Sequence, residues 1–287
     1  MNETTKFVYE NSIGKLTFSF ESAFWITDID GVSSVEVDIS DSRSSDQVGS
    51  SLASQSVQPR PIPVDGVIYE PLNINREALI SVIAPGVPSI LTVIENGKSW
   101  YLNVVPRKTP DIMPGNSEQA FQMELYSPYP YWRSSESIAT QIAGLTKRFR
   151  FPFYTGGTWK ISEFSDSYFN TITNDGNVPI EFKVTFSARG ELRNPELYHV
   201  GSKKRIRLLK TMTAGERIVV STIYGERGVV AITASGVASN GYNLLARGMK
   251  LNMAILPGEN LLRIGAEQNR ENLTVRIEAP RGVKSGV

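Results

Sequence analysis

The stretch Val35-Glu36-Val37-Asp38-Ile39 alternates strictly between apolar and acidic residues. Successive side chains of a β-strand point to opposite faces, so this period of two predicts a strand with one face on a core and the other in water. The same alternation returns at residues 121–125, 182–186, 218–220 and 273–277. We therefore expect strands to dominate both halves of the chain.

Turn-forming pairs separate many of these strands: Asn96-Gly97, Asp175-Gly176, Ala214-Gly215 and Pro257-Gly258. Such residues supply the positive or fixed φ that a tight reversal of the chain requires. Many short strands joined by tight turns favour β-sandwiches over a parallel α/β sheet. The sequence therefore predicts an all-β fold.

Two segments interrupt the strand pattern and predict one or two short helices. In the first, the apolar residues are spaced for one helical face: Ala78, Leu79, Val82 and Ile83. We predict a helix over residues 75–84, with Asn75 as its N-cap and Pro85 after its end. A second, shorter helix is predicted over residues 136–145.

A length of 287 residues predicts two domains. The stretch from Tyr126 to Arg133 is the candidate boundary, because its prolines stiffen an extended segment directly after a strand. We assign the domain junction to four residues of this stretch: Pro128, Tyr129, Pro130 and Trp132. The expected domains are residues 1–133 and 134–287.

Residues 40–63 differ in composition from the rest of the chain. Eight serines are followed by Pro59, Pro61 and Pro63, so this segment can bury little of itself. It is either a mobile surface loop or an arm that becomes ordered only against a neighbouring subunit. Composition alone favours the loop.

Composition also narrows the classes of function. Lys and Arg number 30 against 29 Asp and Glu, so we expect no nucleic-acid partner. There is no cysteine, which excludes disulfides, thiolate metal sites and a cysteine nucleophile and fits a reducing cytoplasm. The amino terminus lacks the apolar core of a cleaved leader, and no apolar run reaches about 20 residues, so we expect neither export nor a membrane span.

Residues for catalysis are sparse. His199 is the single histidine, which excludes a multi-histidine metal site and favours a structural role. Carboxylate pairs such as Asp28 with Asp30, or Asp166 with Asp175, could serve a glycosidase, but turns explain them better. We expect no enzyme activity and no cofactor. The basic cluster of residues 203–210 has Ile206 and Leu208 interleaved at strand spacing, which predicts a strand with a basic outer face.

The order of these features resembles the siphovirus distal tail protein family, also called phage tail family protein or Dit. The clearest parts in the first half are residues 24–31, Asn96-Gly97-Lys98, and the run from Phe121 to Trp132 that ends in Pro-Tyr-Pro-Tyr-Trp. In the second half, residues 174–179, Asn194-Pro195, Ala214-Gly215-Glu216 and residues 256–260 appear in the family's order. The resemblance covers nearly the whole chain.

The resemblance implies an amino-terminal β-domain with one helix and a long hairpin arm, followed by a galectin-like β-sandwich. In the family, the first domain packs into a hexameric ring and the arm embraces the next subunit. Residues 40–63 lie where that arm would be, which shifts the interpretation of this segment from loop to belt. The residues assigned to the subunit interface are Ser40, Asp41, Arg43, Val48, Leu52, Val57, Arg60 and Ile62.

The implied role is that of a virion structural protein at the phage tail tip, assembled in the cytoplasm of the bacterial host. Its implied partners are copies of itself, the tail tube protein and the tail-associated hub protein. Receptor-binding proteins attach to the outer domain in many phages. The alternative from another class is a carbohydrate-binding tail adhesin that contacts the host cell wall through exposed aromatic residues such as Trp159. A tail-associated hydrolase is a third hypothesis.

Overall fold

The computed structural model describes residues 5–142, 144–147, 162–165 and 168–287. Within these residues the secondary structure is mostly β, with one α-helix and two 3-10 helices, so the all-β prediction is confirmed. The chain divides into two compact units, Met1–Glu136 with Val283–Val287, and Ser137–Gly282. The first unit thus extends beyond residue 133 and includes a segment that the sequence had placed in the second domain.

The elements of the first half are β1 Lys6–Glu10, β2 Lys15–Phe18, β3 Phe24–Ile29, β4 Val37–Ser42, β5 Ser51–Val57, β6 Arg60–Ile68, α1 Leu72–Val82, β7 Ser89–Glu95, β8 Lys98–Ile112, β9 Gln119–Ser127 and β10 Trp132–Ser134. The remaining strands are β11 Ser137–Ile142, β12 Gly144–Lys147, β13 Ser162–Ser165, β14 Phe169–Asn174, β15 Lys183–Ala188, β16 Leu192–Arg193, β17 Glu196–His199, β18 Arg205–Arg207, β19 Thr211–Met212, β20 Arg217–Ser221, β21 Gly228–Ile232, β22 Ala238–Asn240, β23 Gly258–Gly265, β24 Leu273–Pro280 and β25 Val283–Lys284. The 3-10 helices are Tyr242–Leu244 and Arg270–Asn272.

The first unit is built on one nine-stranded sheet with the strand order β25-β10-β8-β7-β1-β2-β3-β6-β9. Strand β8 is long enough to pair with β7 through its first half and with β9 through its second half, which closes the sheet on itself. The alternation in β6 and β9 places every second side chain in the enclosed core. The largest fully buried residues there include Tyr9, Phe18, Phe121 and Trp132.

Helix α1 packs Leu79 and Val82 against this core. The predicted helix is confirmed, but it begins at Leu72 and ends at Val82. The predicted N-cap is wrong, because Asn75 lies inside the helix and its side-chain amide donates to the Tyr69 carbonyl at 2.8 Å. At the other end, the amide of Asn11 donates to the Val82 carbonyl at 2.8 Å, which satisfies a carbonyl that the ending helix leaves open.

The second unit contains a six-stranded sheet, β11-β24-β15-β20-β21-β22, and a four-stranded sheet, β14-β23-β17-β18. The apolar residues of the alternating patterns in both sheets are buried, as in a sandwich of two sheets. The second predicted helix is wrong: residues 136–145 contain strand β11, which pairs along its whole length with β24. Ile138, Thr140 and Ile142 also alternate with period two, and cross-strand pairing decides between the two patterns.

The turn predictions are confirmed where β7 meets β8. Asn96 and Gly97 both have positive φ, of 50° and 73°, in the two-residue loop of this hairpin. Asn-Gly is the pair that tolerates this mirror-image turn with least strain, and its twist matches that of the flanking strands.

Candidate functional site

Strands β4 and β5 form a two-stranded hairpin that no other strand in the described part of the chain joins. Every residue of both strands is exposed. The alternating sequence around Val37 and Ile39 therefore correctly predicts a strand. The apolar side of this strand, which we expected to pack on a core, is exposed to solvent.

Five large apolar side chains of this hairpin are exposed to solvent. Their exposed fractions are 39% for Val37, 67% for Ile39, 101% for Val48, 62% for Leu52 and 36% for Val57. An isolated two-stranded ribbon is marginally stable in water, because it leaves most of its apolar surface and its outer backbone groups without partners. The hairpin thus presents apolar side chains and open strand edges to solvent.

A β-bulge arranges these side chains. Val37 lies opposite Val57, and the register shifts after Ser40, so that Ala53 is an extra residue and Leu52 lies opposite Asp41. Leu52 and Val57 are an odd number of residues apart, which would place them on opposite faces of a regular strand. The bulge at Ala53 returns Leu52 to the same face. We call this side the apolar face after Val37, Ile39, Leu52 and Val57; it also carries Asp41 and Gln55.

The opposite side of the hairpin is polar and defines the serine face: Asp38, Ser40, Ser42, Ser51, Ser54 and Ser56. Five of the eight serines that favoured a loop therefore lie on one side of the strand pair, and the other three, Ser44, Ser45 and Ser50, lie in the connecting turn. Beyond the strands, Gln47 shapes the connecting turn: its N–H donates to the Ser44 carbonyl at 3.1 Å and its side-chain amide to the Ser51 hydroxyl at 2.8 Å.

The base of the hairpin is closed by the main chain, where the N–H of Gln58 donates to the Glu36 carbonyl at 2.9 Å. The sequence-predicted interface residues divide at this point. Six of them lie on the hairpin: Ser40, Asp41, Arg43, Val48, Leu52 and Val57. Arg60 and Ile62 are a correction, because they lie in β6 and are 2% and 0% exposed. Strand β6 pairs with β3 and β9, so its alternate side chains enter the core of the first unit.

Arg60 fixes the segment that leads into the hairpin. Its Nε donates to the Pro130 carbonyl at 2.7 Å, and its Nη1 donates to the carbonyls of Gly31 and, at 3.0 Å, Val32. Its Nη2 donates to the Ser285 carbonyl. One planar guanidinium therefore binds three segments that are far apart in sequence, which its five N–H donors in a fixed fork allow.

The environment of Arg60 is unusual for a buried cation. Among the described residues its hydrogen-bond acceptors are main-chain carbonyls, and the indole of Trp132 lies 5.9 Å from its central carbon. Burial lowers the pKa of the Arg60 guanidinium to about 10, which still leaves it charged at neutral pH. Its charge is thus compensated by carbonyl dipoles rather than by a carboxylate.

The four predicted junction residues all belong to the first unit, which continues to Glu136. Trp132 is fully buried in its core, and its indole N–H donates to the Val32 carbonyl at 3.0 Å. Tyr129 packs edge-on against Tyr131, with their ring centroids 5.5 Å apart.

The histidine has the structural role that the sequence favoured. His199 is 2% exposed; its Nδ1 accepts from the Ser202 N–H at 2.9 Å, and its Nε2 lies 2.8 Å from Asn260 Oδ1. Because Nδ1 faces a donor, the proton belongs on Nε2 and the ring is neutral. Asn260 also closes the turn after Leu256, so this pair fixes two loops rather than a substrate.

Residues for other chemistry are dispersed. Among the described residues, no group of three or more His, Cys, Asp or Glu is placed to hold a metal ion. Asp28 lies in β3, and Asp30 accepts the Gly31 N–H at 2.6 Å in the turn that follows. Two of the residues named from sequence, Trp159 and Asp166, lie outside the described residues. No helix in the described part is both long and apolar enough to cross a membrane.

Only part of the basic cluster lies on a strand, because the edge strand β18 covers Arg205–Arg207 and leaves Lys203, Lys204 and Lys210 outside it. Ile206 of β18 is buried while Arg205 points outward. Carboxylates lie beside several of these charges: Arg207 is 3.1 Å from Glu267, and Lys210 is 2.8 Å from Glu216. The cluster is therefore partly neutralised within the chain.

Two features of this site were not predicted from sequence. One is the Arg60 network, whose acceptors are backbone carbonyls that any residue could supply. The other is the pairing of Val283–Lys284 with β10. The only sequence signal for Arg60 is a charged residue at an inward position of an alternating strand, Arg60-Pro-Ile-Pro-Val64.

No protein-family model and no curated protein matches this sequence. Solved structures do match the fold. The Dit protein of phage SPP1, described as a paradigm of the hub adsorption apparatus in phages that infect Gram-positive bacteria, aligns over 96% of this chain and 98% of its own, with a TM-score of 0.65 and 12% identity. A chain of the phage P2 baseplate in its activated, calcium-bound conformation aligns over 99% of both chains, with a TM-score of 0.53 and 10% identity. The chain thus has the fold of the Dit protein over nearly its full length.

Proposed function

We propose that this chain is a structural distal tail protein of a bacteriophage, which assembles with copies of itself into a hexameric ring at the tip of the tail. The β4–β5 hairpin acts as the arm that each copy lays on the next. The observation that carries this proposal is the bulged hairpin with an apolar face that no described residue of its own unit covers. The likeness to the SPP1 Dit fold along both units supports it.

The energetics favour docking of the hairpin on a second copy. Burying an exposed Ile or Leu side chain contributes about 1.5–3 kcal/mol, and the open strand edges can add main-chain hydrogen bonds. A contact between an arm and a different surface of the next copy is heterologous, and such contacts form a closed ring when the rotation between copies closes. Repeating the contact around a ring leaves no arm without a partner.

In this proposal the ring joins the tail tube protein on one side to the tail-associated hub protein on the other. The second unit, a galectin-like sandwich, serves as an attachment point for receptor-binding proteins. The absence of cysteine fits assembly of the virion in the reducing cytoplasm of the bacterial host. In this proposal the protein acts through the surfaces that contact its partners, so no catalytic residue is assigned.

The experiment that tests the arm compares its two faces. Replacing Ile39 and Leu52 by Thr makes these two positions polar, and the β-branched Thr side chain favours a strand. We expect the purified variant to remain folded and to sediment as a monomer at concentrations where the unaltered chain forms rings. Sedimentation velocity and negative-stain images provide the measurement.

The matched control places Thr at two positions of the serine face, Ser40 and Ser54, and should assemble like the unaltered chain. Rings formed equally well by both double variants would show that the apolar face does not mediate assembly. Loss of assembly in the serine-face variant alone would assign the contact to the wrong side of the hairpin.

A further inference from the structure

The hairpin leaves the first unit through a short segment, residues 31–36, which we call the root. Of this segment, Gly31 and Val32 are half-buried while Ser33 and Ser34 are exposed. Such a segment is expected to be mobile unless other groups satisfy its backbone. The direction in which the arm points depends on whether the root is held.

Three donors converge on the root at one carbonyl. The Val32 oxygen accepts from Arg60 Nη1 at 3.0 Å, from the indole N–H of Trp132 at 3.0 Å and from the N–H of Val287 at 3.4 Å. Arg60 also binds the Gly31 carbonyl beside it. The buried cation therefore contacts the root through two adjacent carbonyls.

Val283–Val287 completes this arrangement from the other side. Lys284 pairs with Trp132 in the β10–β25 ladder, and the Ser285 carbonyl accepts from Arg60. Gly286 packs directly on the main chain of the root, where a Cβ added to it would overlap the carbonyl oxygen of Ser33. A residue without a side chain is required at this contact.

We infer that Val283–Val287 is a clasp that closes over Arg60 and holds the root of the hairpin, so that the arm is presented for assembly only while the clasp is docked. Arg60 is a positioning residue in this device. It shares its donors between the root and the clasp, so undocking the clasp removes an acceptor of Arg60 and two contacts of the root at once. The link to assembly rests on the proposed function of the hairpin, whereas the link to the root does not.

The first test is Gly286→Ala, because the atoms that the new methyl group meets belong to the backbone of Ser33 and cannot rotate away. We expect amide hydrogen exchange in residues 31–36 and at Gln58 to accelerate about tenfold, while exchange in the β6–β9 ladder is unchanged. Gly265→Ala is the matched control, since nothing lies within 4 Å of a Cβ at that position, and it should leave exchange at the root unaltered.

A second variant, Arg60→Lys, keeps the positive charge but replaces the fork by one ammonium group that cannot reach four carbonyls at once. It should loosen both the root and Val283–Val287. Normal protection of the root in either variant would overturn the clasp.

A measurement on the unaltered chain avoids any difficulty with folding of the variants. If the clasp and the root open together, the N–H groups of Val287 and Gln58 should have equal opening free energies with equal dependence on denaturant. Independent opening of the two amides would overturn the inference.

Assembly is measured separately on the same samples. A loosened root with fewer rings is the result expected from the clasp and the proposed function together. A loosened root with unchanged ring formation would support the clasp and contradict the arm's role in assembly.

Discussion

The β4–β5 hairpin and the β6–β9 strand pair carry the same kind of sequence pattern but differ in what surrounds them. In β9, Phe121, Met123 and Leu125 alternate with polar residues and are at most 4% exposed, whereas Ile39 of β4 is 67% exposed. Alternation thus predicts that one face of a strand is buried, but it does not identify the residues or the subunit that bury it. Where the chain itself supplies no cover, the pattern indicates a partner.

The largest expected effect is a difference in the free energy of unfolding between substitutions in these two regions. Phe121→Ala should lower the free energy of unfolding by about 3–5 kcal/mol, because it leaves a cavity in the closed sheet. Ile39→Ala should change it by less than about 0.5 kcal/mol, because its side chain contacts mostly water in the monomer. Urea denaturation at concentrations where the chain is monomeric measures both. A large loss with Ile39→Ala would mean that the hairpin packs within its own chain.

The same comparison explains how much of the structure could be predicted from sequence. Buried strands such as β9 and β24 and the turn at Asn96-Gly97 follow from local periodicity and backbone preferences. Helix α1 was predicted, but its ends depend on contacts with Asn11 and Tyr69 from other elements. Residues 136–145 were assigned to a helix because short apolar runs fit both periods until a partner strand decides.

The candidate site was predicted less completely. The hairpin residues 40–57 were identified through the family resemblance, since their serine content alone favoured a loop. Arg60 was assigned to the arm, although its position beside Ile62 in an alternating strand makes it a core residue. Its acceptors at Pro130 and Ser285 are main-chain groups distant in sequence, and no residue type marks such acceptors in advance.

A smaller effect is expected from variants that remove the β-bulge at Ala53. Inserting Ser after Ser40 would restore a regular ladder but move Leu52 to the serine face. Because one Leu is lost from the interface, we expect the dissociation constant for assembly to rise about tenfold or more. Deleting Ala53 also restores a regular ladder but keeps Leu52 on the apolar face, and should assemble normally. Equal assembly of the two variants, measured by sedimentation, would show that the facing of Leu52 does not matter.

The smallest expected effect concerns a polar contact that, unlike the hairpin, is satisfied within the chain. Glu216 accepts from Lys210 at 2.8 Å and from the Thr213 N–H at 2.7 Å. The bond from Lys210 is the main reason that the pKa of Glu216 lies below its ordinary value of 4.5. A carboxyl whose pKa is lowered by folding stabilises the folded state above its unfolded pKa and loses that contribution as pH falls through the folded pKa.

Glu216→Gln should therefore cost under about 1 kcal/mol at pH 7. Its difference from the unaltered chain should shrink as the pH falls below about 4.5. Thermal unfolding at several pH values measures this, and Glu259→Gln, an exposed carboxylate on β23, serves as the control. A difference that persists unchanged in acid would mean that the carboxylate charge is not the source of the effect.

Removing the hairpin itself should abolish assembly while leaving the fold of the first unit intact. Because the Gln58 N–H bonds to the Glu36 carbonyl, residues 37–57 can be replaced by an Asn-Gly turn without moving the strands on either side. Sedimentation velocity with negative-stain imaging should show rings for the unaltered chain and folded monomers, with the same urea midpoint as the monomeric parent, for the replacement. Rings formed by the chain that lacks the hairpin would contradict the account.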